Sequence, residues 1–221
     1  MKPNLTREFI ADTLSQSVLD PRTRALYDLC FMHRDHLRDV IVADKLRLIA
    51  RLFEEYETGA GFSPERGAHC LTQSPVDHWF ATVATAEELG GWLPLELHKR
   101  VMDVFAELPV EEARSLASKY LHFHFPELFF IHDSLVERAA RRLMGEECGY
   151  LAMSDHDPAY GQFHACCRKL AERLARDLGR RLSPRELDRV LRAWADIEGA
   201  GYGEGAPGYD GVTAQPLALA S

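Results

Sequence analysis

The chain has 221 residues, 46% hydrophobic and 27% charged, enough for one large or two small folded domains with a real core. Its net charge of −8 is the wrong sign for a basic nucleic-acid-binding domain, so any phosphate-gripping surface has to be local. No apolar run approaches the roughly 20 residues of a membrane-spanning helix, and the opening MKPNLTREFIADTL lacks a secretion signal's apolar core; a cytoplasmic chain with no membrane partner is expected.

Helix signals recur along the chain and strand alternation is almost absent. A short helix is expected over 5–18, after Asn4 as cap. Asp20-Pro21 opens a long helical region to about Glu57, with apolar faces from Leu26, Leu29, Cys30, Val40, Ile41, Leu48, Leu52 and Phe53. The charges of His33–Asp39 predict a bend or an exposed stripe inside it, and Gly59-Ala-Gly61 ends it. Ser74-Pro75-Val76-Asp77 has the form of a capping box, opening a helix to about 89 that Gly90-Gly91 stops. Pro94 begins another, ending near Glu107.

Pro109, followed by Glu111 and Glu112 at the positive end of a helix dipole, starts a helix to about His124, which Phe125-Pro126 breaks. Asp133 caps the next, ending near Gly145. Residues 146–156 read as loop. A helix runs from Pro158 to Leu178 with Gly179 closing it, and the capping box Ser183-Pro-Arg-Glu186 opens the last, with Leu187, Val190, Leu191 and Trp194 on one face. Beyond Glu198 the Gly-rich composition predicts a flexible tail over 199–221. The expectation is an all-α, irregular or orthogonal bundle of about eight helices in a single domain over 1–198, with 1–107 and 108–198 as possible halves.

The five cysteines form no C-x-x-C pair, and an odd count with adjacent Cys166 and Cys167 reads as buried reduced thiols rather than a disulfide framework. No metal and no cofactor is expected. The stretch 108–143, LPVEEARSLASKYLHFHFPELFFIHDSLVERAARRL, carries the one constellation with chemical potential. Asp133 stands at the mouth of a helix, where it either satisfies backbone N–H groups as a cap or faces a cleft and stabilises a developing cation. Arg138, Arg141 and Arg142 recur at helical spacing and are candidates to grip phosphates; salt bridges on a solvated face are the competing reading. His122 and His124, two apart on a helix, are a poor chelating pair.

The string IHDSLVERAARRL resembles the segment following the hairpin of helix-hairpin-helix DNA glycosylases, with an upstream Leu-Pro and small-residue helix (Ala113, Ala117, Ser118) at about the right distance. That resemblance implies base excision, with Asp133 as the catalytic carboxylate, a flipped base in a pocket beside it, and Lys119, Arg138, Arg141 and Arg142 as contacts to nucleic acid. The chain departs from the family where Leu108-Pro109-Val110-Glu111-Glu112 stands for L-P-G-x-G, and where the lysine of some members falls near Ser115, with Lys119 one turn on. The pattern SKYLHFHFPELFFIHDS, with the later SPRELDRVL, is also similar to a group of bacterial all-helical proteins, which implies the fold and leaves the activity open. Two other functions remain in view. One is a non-catalytic helical binding or regulatory module. The other is a metal-dependent phosphohydrolase of the HD class, using His132-Asp133 with His33, Asp35, His36 or Asp39 and a late Asp188 or Asp196.

Overall fold

The structure, a computed structural model, describes residues 5–16, 20–53, 62–83, 92–108, 113–145, 148 and 156–201, the last three by backbone alone. Among the described residues it is all-α, with ten helices and no strand. They are α1 (Arg7–Ser15), α2 (Pro21–Met32), α3 (Asp39–Phe53), α4 (Pro64–Gln73) and α5 (Val76–Val83), then α6 (Trp92–Ala106), α7 (Ala113–His124), α8 (Ser134–Met144), α9 (Pro158–Leu178) and α10 (Pro184–Gly201).

Most helices begin where a short polar side chain can take up a free N–H. Thr6 accepts from Phe9, Asp20 from Thr23 and Asp157 from Tyr160, the last two with proline in the first turn. At α10 the box is reciprocal: Glu186 N donates to Ser183 Oγ (3.2 Å) and Ser183 N to Glu186 Oε2 (2.9 Å). Gly179 ends α9 at φ 74°, a left-handed position that suits glycine.

Ten helices stand where about eight were expected, for two local reasons. The region from Asp20 splits into α2 and α3 because the backbone of 33–38 finds partners outside a helix: Lys45 Nζ donates to His33 O, and His36 N donates to Asp77 Oδ2 (3.2 Å). The second addition, α4, opens on Ser63, whose Oγ accepts from Arg66 N with Pro64 in the first turn. The capping box read at Ser74-Pro75-Val76-Asp77 does not form. Ser74 Oγ donates to Leu71 O (2.7 Å) instead, and the Asp77 carboxylate is spent on His36. The expected start of α7 at Pro109, the Gly90-Gly91 stop, most of the 146–156 loop and the tail beyond Gly201 lie outside the described residues.

Helix α7 is central: it packs on α6, α2 and α3, while α3 packs on α4 and α8 lies against both α9 and α10. The first helix closes against the last, where Arg189 donates to Thr13 O (3.1 Å) and Leu14 O (3.2 Å). One cluster of buried apolar side chains runs from Ile10 through Leu46, Phe105, Tyr120, Phe129 and Phe163 to Trp194. Fully burying each large side chain stabilises by about 1.5–3 kcal/mol, which makes this cluster the main support of the bundle.

The reduced-thiol reading needs correction at one pair. Cys148 and Cys166 are joined as a disulfide, Cα–Cα 4.5 Å, while Cys30 and Cys167 are buried free thiols and Cys70 is half-buried. Five cysteines leave room for up to two bridges; the one found among the described residues joins Cys166 on α9 to Cys148 ahead of it, a pairing that spacing alone does not encode.

Candidate functional site

The segment between α7 and α8 opens with a turn over 126–128 and then runs non-helically to Asp133, where side chains take up several of its backbone groups. His122 Nδ1 bonds Phe129 O (2.8 Å), Tyr160 OH donates to Phe130 O (2.9 Å), and Ser115 Oγ donates to His132 O (3.0 Å). His132 N donates to Ser118 Oγ (2.9 Å). Small residues on α7 let this segment lie close, and its own Phe129, Phe130 and Ile131 are buried. The result fixes Asp133 at the mouth of α8, with extended backbone.

Asp133 Oδ1 accepts from Leu135 N (2.7 Å) and Val136 N (3.2 Å), the geometry of a helix cap. Its Oδ2 accepts from Arg192 Nη2 (3.3 Å). Arg192 Nε in turn donates to Asp188 Oδ1 (3.1 Å), and Arg185 Nη1 donates to Asp188 Oδ2 (2.9 Å). Burial works against the charge on Arg192, but Asp188 and Asp133 together hold its pKa above the ordinary value. Asp133 itself is 8% exposed. Its carboxylate is therefore occupied on both oxygens.

The other sequence candidates turn elsewhere. Lys119 is buried on α7 with its Nζ 4.5 Å from the centre of the Phe53 ring, toward α3, whereas Asp133 faces α10. Arg138, Arg141 and Arg142 lie on the exposed face of α8. Arg141 pairs with Glu137 (2.7 Å) and Gln162 (2.9 Å), and Arg142 with Glu198.

The requirements of the HD reading are also dispersed. His132 Nε2 sits 3.3 Å from Glu137 Oε2, and that contact, with Arg141, holds the Glu137 pKa down at about 2 despite partial burial. His36 pairs with Asp77, Asp39 with His69, and Asp188 with two arginines. Among the described residues no three His, Cys, Asp or Glu side chains are grouped as a metal would need.

Two features at the α2–α3 corner were not singled out from the sequence. Outside, Phe31, Met32, Leu37 and Val40 are 63–81% exposed, and they make up four of the six exposed large apolar side chains among the described residues. Arg34 lies over the Phe31 ring (5.1 Å) and Arg38 touches His33 Nδ1 (3.1 Å). Neither guanidinium has a carboxylate partner among the described residues. Beneath the same corner sits a buried polar cluster. His36 Nδ1 bonds Asp77 Oδ1 (2.6 Å), Lys45 Nζ donates to His33 O and lies 3.0 Å from His124 Nε2, and the His36 and His124 rings stack at 5.6 Å. The available signal was a lysine at the centre of α3's apolar stripe, Val42, Ala43, Leu46 and Ile49.

Comparison with known protein families, with curated proteins and with solved structures finds no match to this chain.

Proposed function

We propose that this chain is a helical binding module that docks a protein partner through the α2–α3 corner. The observation that carries the reading is the concentration of Phe31, Met32, Leu37 and Val40, largely exposed, within ten consecutive residues. Apolar side chains scattered singly over a surface need no explanation, but a local group of this kind is the usual mark of an interaction site. The guanidiniums of Arg34 and Arg38 beside it, without a carboxylate partner among the described residues, favour a partner of acidic, amphipathic character, such as a helix with an apolar stripe bordered by carboxylates.

A labelled synthetic helix with Leu at i, i+3, i+4 and i+7 and Glu on its other faces tests this by fluorescence anisotropy. Binding that weakens about tenfold or more in Leu37→Asp or Met32→Asp, with Tm unchanged, supports the reading. Equal binding by these variants, or preference for a Lys-bearing helix, overturns it. So does finding that the corner only mediates self-association in sedimentation or floats with anionic vesicles.

A second reading, base excision in the manner of the glycosylases resembled at 108–143, is favoured by the place of Asp133 at the N-terminal end of α8. It requires Arg192 to withdraw from Oδ2 so that the carboxylate can meet a flipped base, with the exposed Arg138, Arg141 and Arg142 contacting nucleic acid; the buried Lys119 takes no part. Release of a damaged base from duplex DNA, abolished in Asp133→Asn at unchanged Tm, is the result this reading expects. Release that persists in that variant counts against it.

A further inference from the structure

Lys45 lies in the interior of α3, fully buried, and a lysine there has to satisfy its hydrogens or lose its charge. Two acceptors meet it: His33 O and His124 Nε2. His124 Nδ1 bonds Tyr120 O (2.9 Å), so that nitrogen carries the imidazole proton and Nε2 presents a lone pair to Lys45. Lys45 has no ion-pair partner among the described residues. Two acceptors and no carboxylate suit a neutral amine, which has two hydrogens to give and a lone pair left over. Burial lowers the Lys45 pKa, in the same direction.

Two further groups in the cluster lack a hydrogen-bond partner among the described residues. His36 donates from Nδ1 to Asp77, which leaves its buried Nε2 as an unmatched acceptor, and the buried Tyr120 hydroxyl is an unmatched donor. These rings gather round His124: Tyr120 is 4.6 Å and His36 5.6 Å from it between ring centres, and Tyr120 and His36 are 5.9 Å apart. Leaving such groups unpaired costs about 1–3 kcal/mol each, so a chain that keeps them together retains them against stability.

We propose that Lys45 is an amine nucleophile that captures a small, uncharged aldehyde or ketone as an imine, with Tyr120 as acid and the His36–Asp77 pair as base. The Lys45 lone pair attacks the carbonyl carbon and forms the C–N bond, while the carbonyl π pair moves to oxygen, which takes the Tyr120 proton. The proton released from nitrogen goes to His36 Nε2, whose ring Asp77 steadies through Nδ1. The carbinolamine hydroxyl then leaves as water with the proton from His36, and the nitrogen's second hydrogen re-protonates Tyr120 as C=N forms. Amine and carbonyl give imine and water, with no oxidant or reductant required. Phe80 packs on His36 and Phe105 on Tyr120, and these apolar walls suit small uncharged carbonyl compounds. The non-helical 33–38 segment contributes His33 O and His36 to the cluster, and its His36 N donates to the half-exposed Asp77.

The test is reductive trapping of the full chain with propanal and cyanoborohydride at pH 6.5, read by peptide mass spectrometry. Lysines with an ordinary pKa are almost wholly protonated there, so each unit by which Lys45 lies below them raises its amine fraction about tenfold. The expected result is a propyl adduct on Lys45 formed at least about tenfold faster than on Lys99 or Lys169, and slowed in Tyr120→Phe at unchanged Tm. Modification of Lys99 and Lys169 with Lys45 left untouched overturns the proposal and makes the cluster a purely structural strap. A Lys45 adduct whose rate ignores Tyr120→Phe overturns the acid assignment.

Discussion

At the scale of single residues, Asp133 shows how one carboxylate can be committed twice. One oxygen takes two amides at the start of α8 and the other takes Arg192. Loss of the cap alone typically costs about 1 kcal/mol, and removing the carboxylate also leaves Arg192 short of one acceptor. Asp133→Ala is therefore expected to lower stability by about 1–3 kcal/mol in urea denaturation, with Arg192→Ala partly non-additive to it in a double-mutant cycle. Strict additivity would show that the 3.3 Å contact carries no coupling. Gly161 makes a second residue-scale case. A Cβ built there would come within 2.6 Å of the buried His156 ring, so Gly161→Ala should destabilise by about 1–3 kcal/mol through overpacking, whereas Gly145→Ala meets no neighbour and is disfavoured only by its positive φ of 55°. An unchanged Tm for Gly161→Ala would mean that the His156 ring moves aside freely.

At the scale of elements, the boundaries legible in the sequence were those set by neighbours in the chain. Asp20-Pro21, Pro158 to Gly179 and Ser183–Glu186 each work through a side chain reaching two or three residues along, and each stands where local chemistry puts it. What escaped the sequence was set by partners far away. Asp77 looks like the end of a capping box but serves His36, forty-one residues back, and Asp133 meets Arg192, fifty-nine residues on. The same holds for the Cys148–Cys166 bridge, which ties the approach to α9 onto that helix. Closing a loop of about this length contributes roughly 3 kcal/mol by restricting the unfolded chain. Dithiothreitol, or a Cys166→Ser substitution, is thus expected to lower the urea midpoint without changing the helical circular dichroism signal. A midpoint insensitive to reductant would count against the bridge.

At the scale of the whole molecule, the interior holds an unusual number of imidazoles. Burial pushes His122 and His164 down to about 4, and lowers His36, His98 and His124 as well. A histidine kept neutral in the folded state and free to protonate in the unfolded one weakens folding as pH falls below its ordinary value near 6.5. The loss from His122 and His164 develops between that value and about 4, at up to about 1.4 kcal/mol per pH unit for each proton taken up. Glu137, with its pKa depressed to about 2, adds stability that is present above about 4.5 and disappears on further acidification. Urea midpoints between pH 7.5 and 4.5 should therefore drop steadily, and His164→Gln should flatten the slope by about one proton; a level profile down to pH 5 would contradict neutral burial. The meeting of α1 with α10, sealed by Arg189 on the carbonyls of Thr13 and Leu14, bears on how the polypeptide is made. Helix α1 is synthesised ahead of α10 and keeps the face that docks on it bare until α10 follows. Nascent chains stalled short of Pro184 should accordingly carry an accessible Ile10, which makes that window the moment of greatest need for a chaperone.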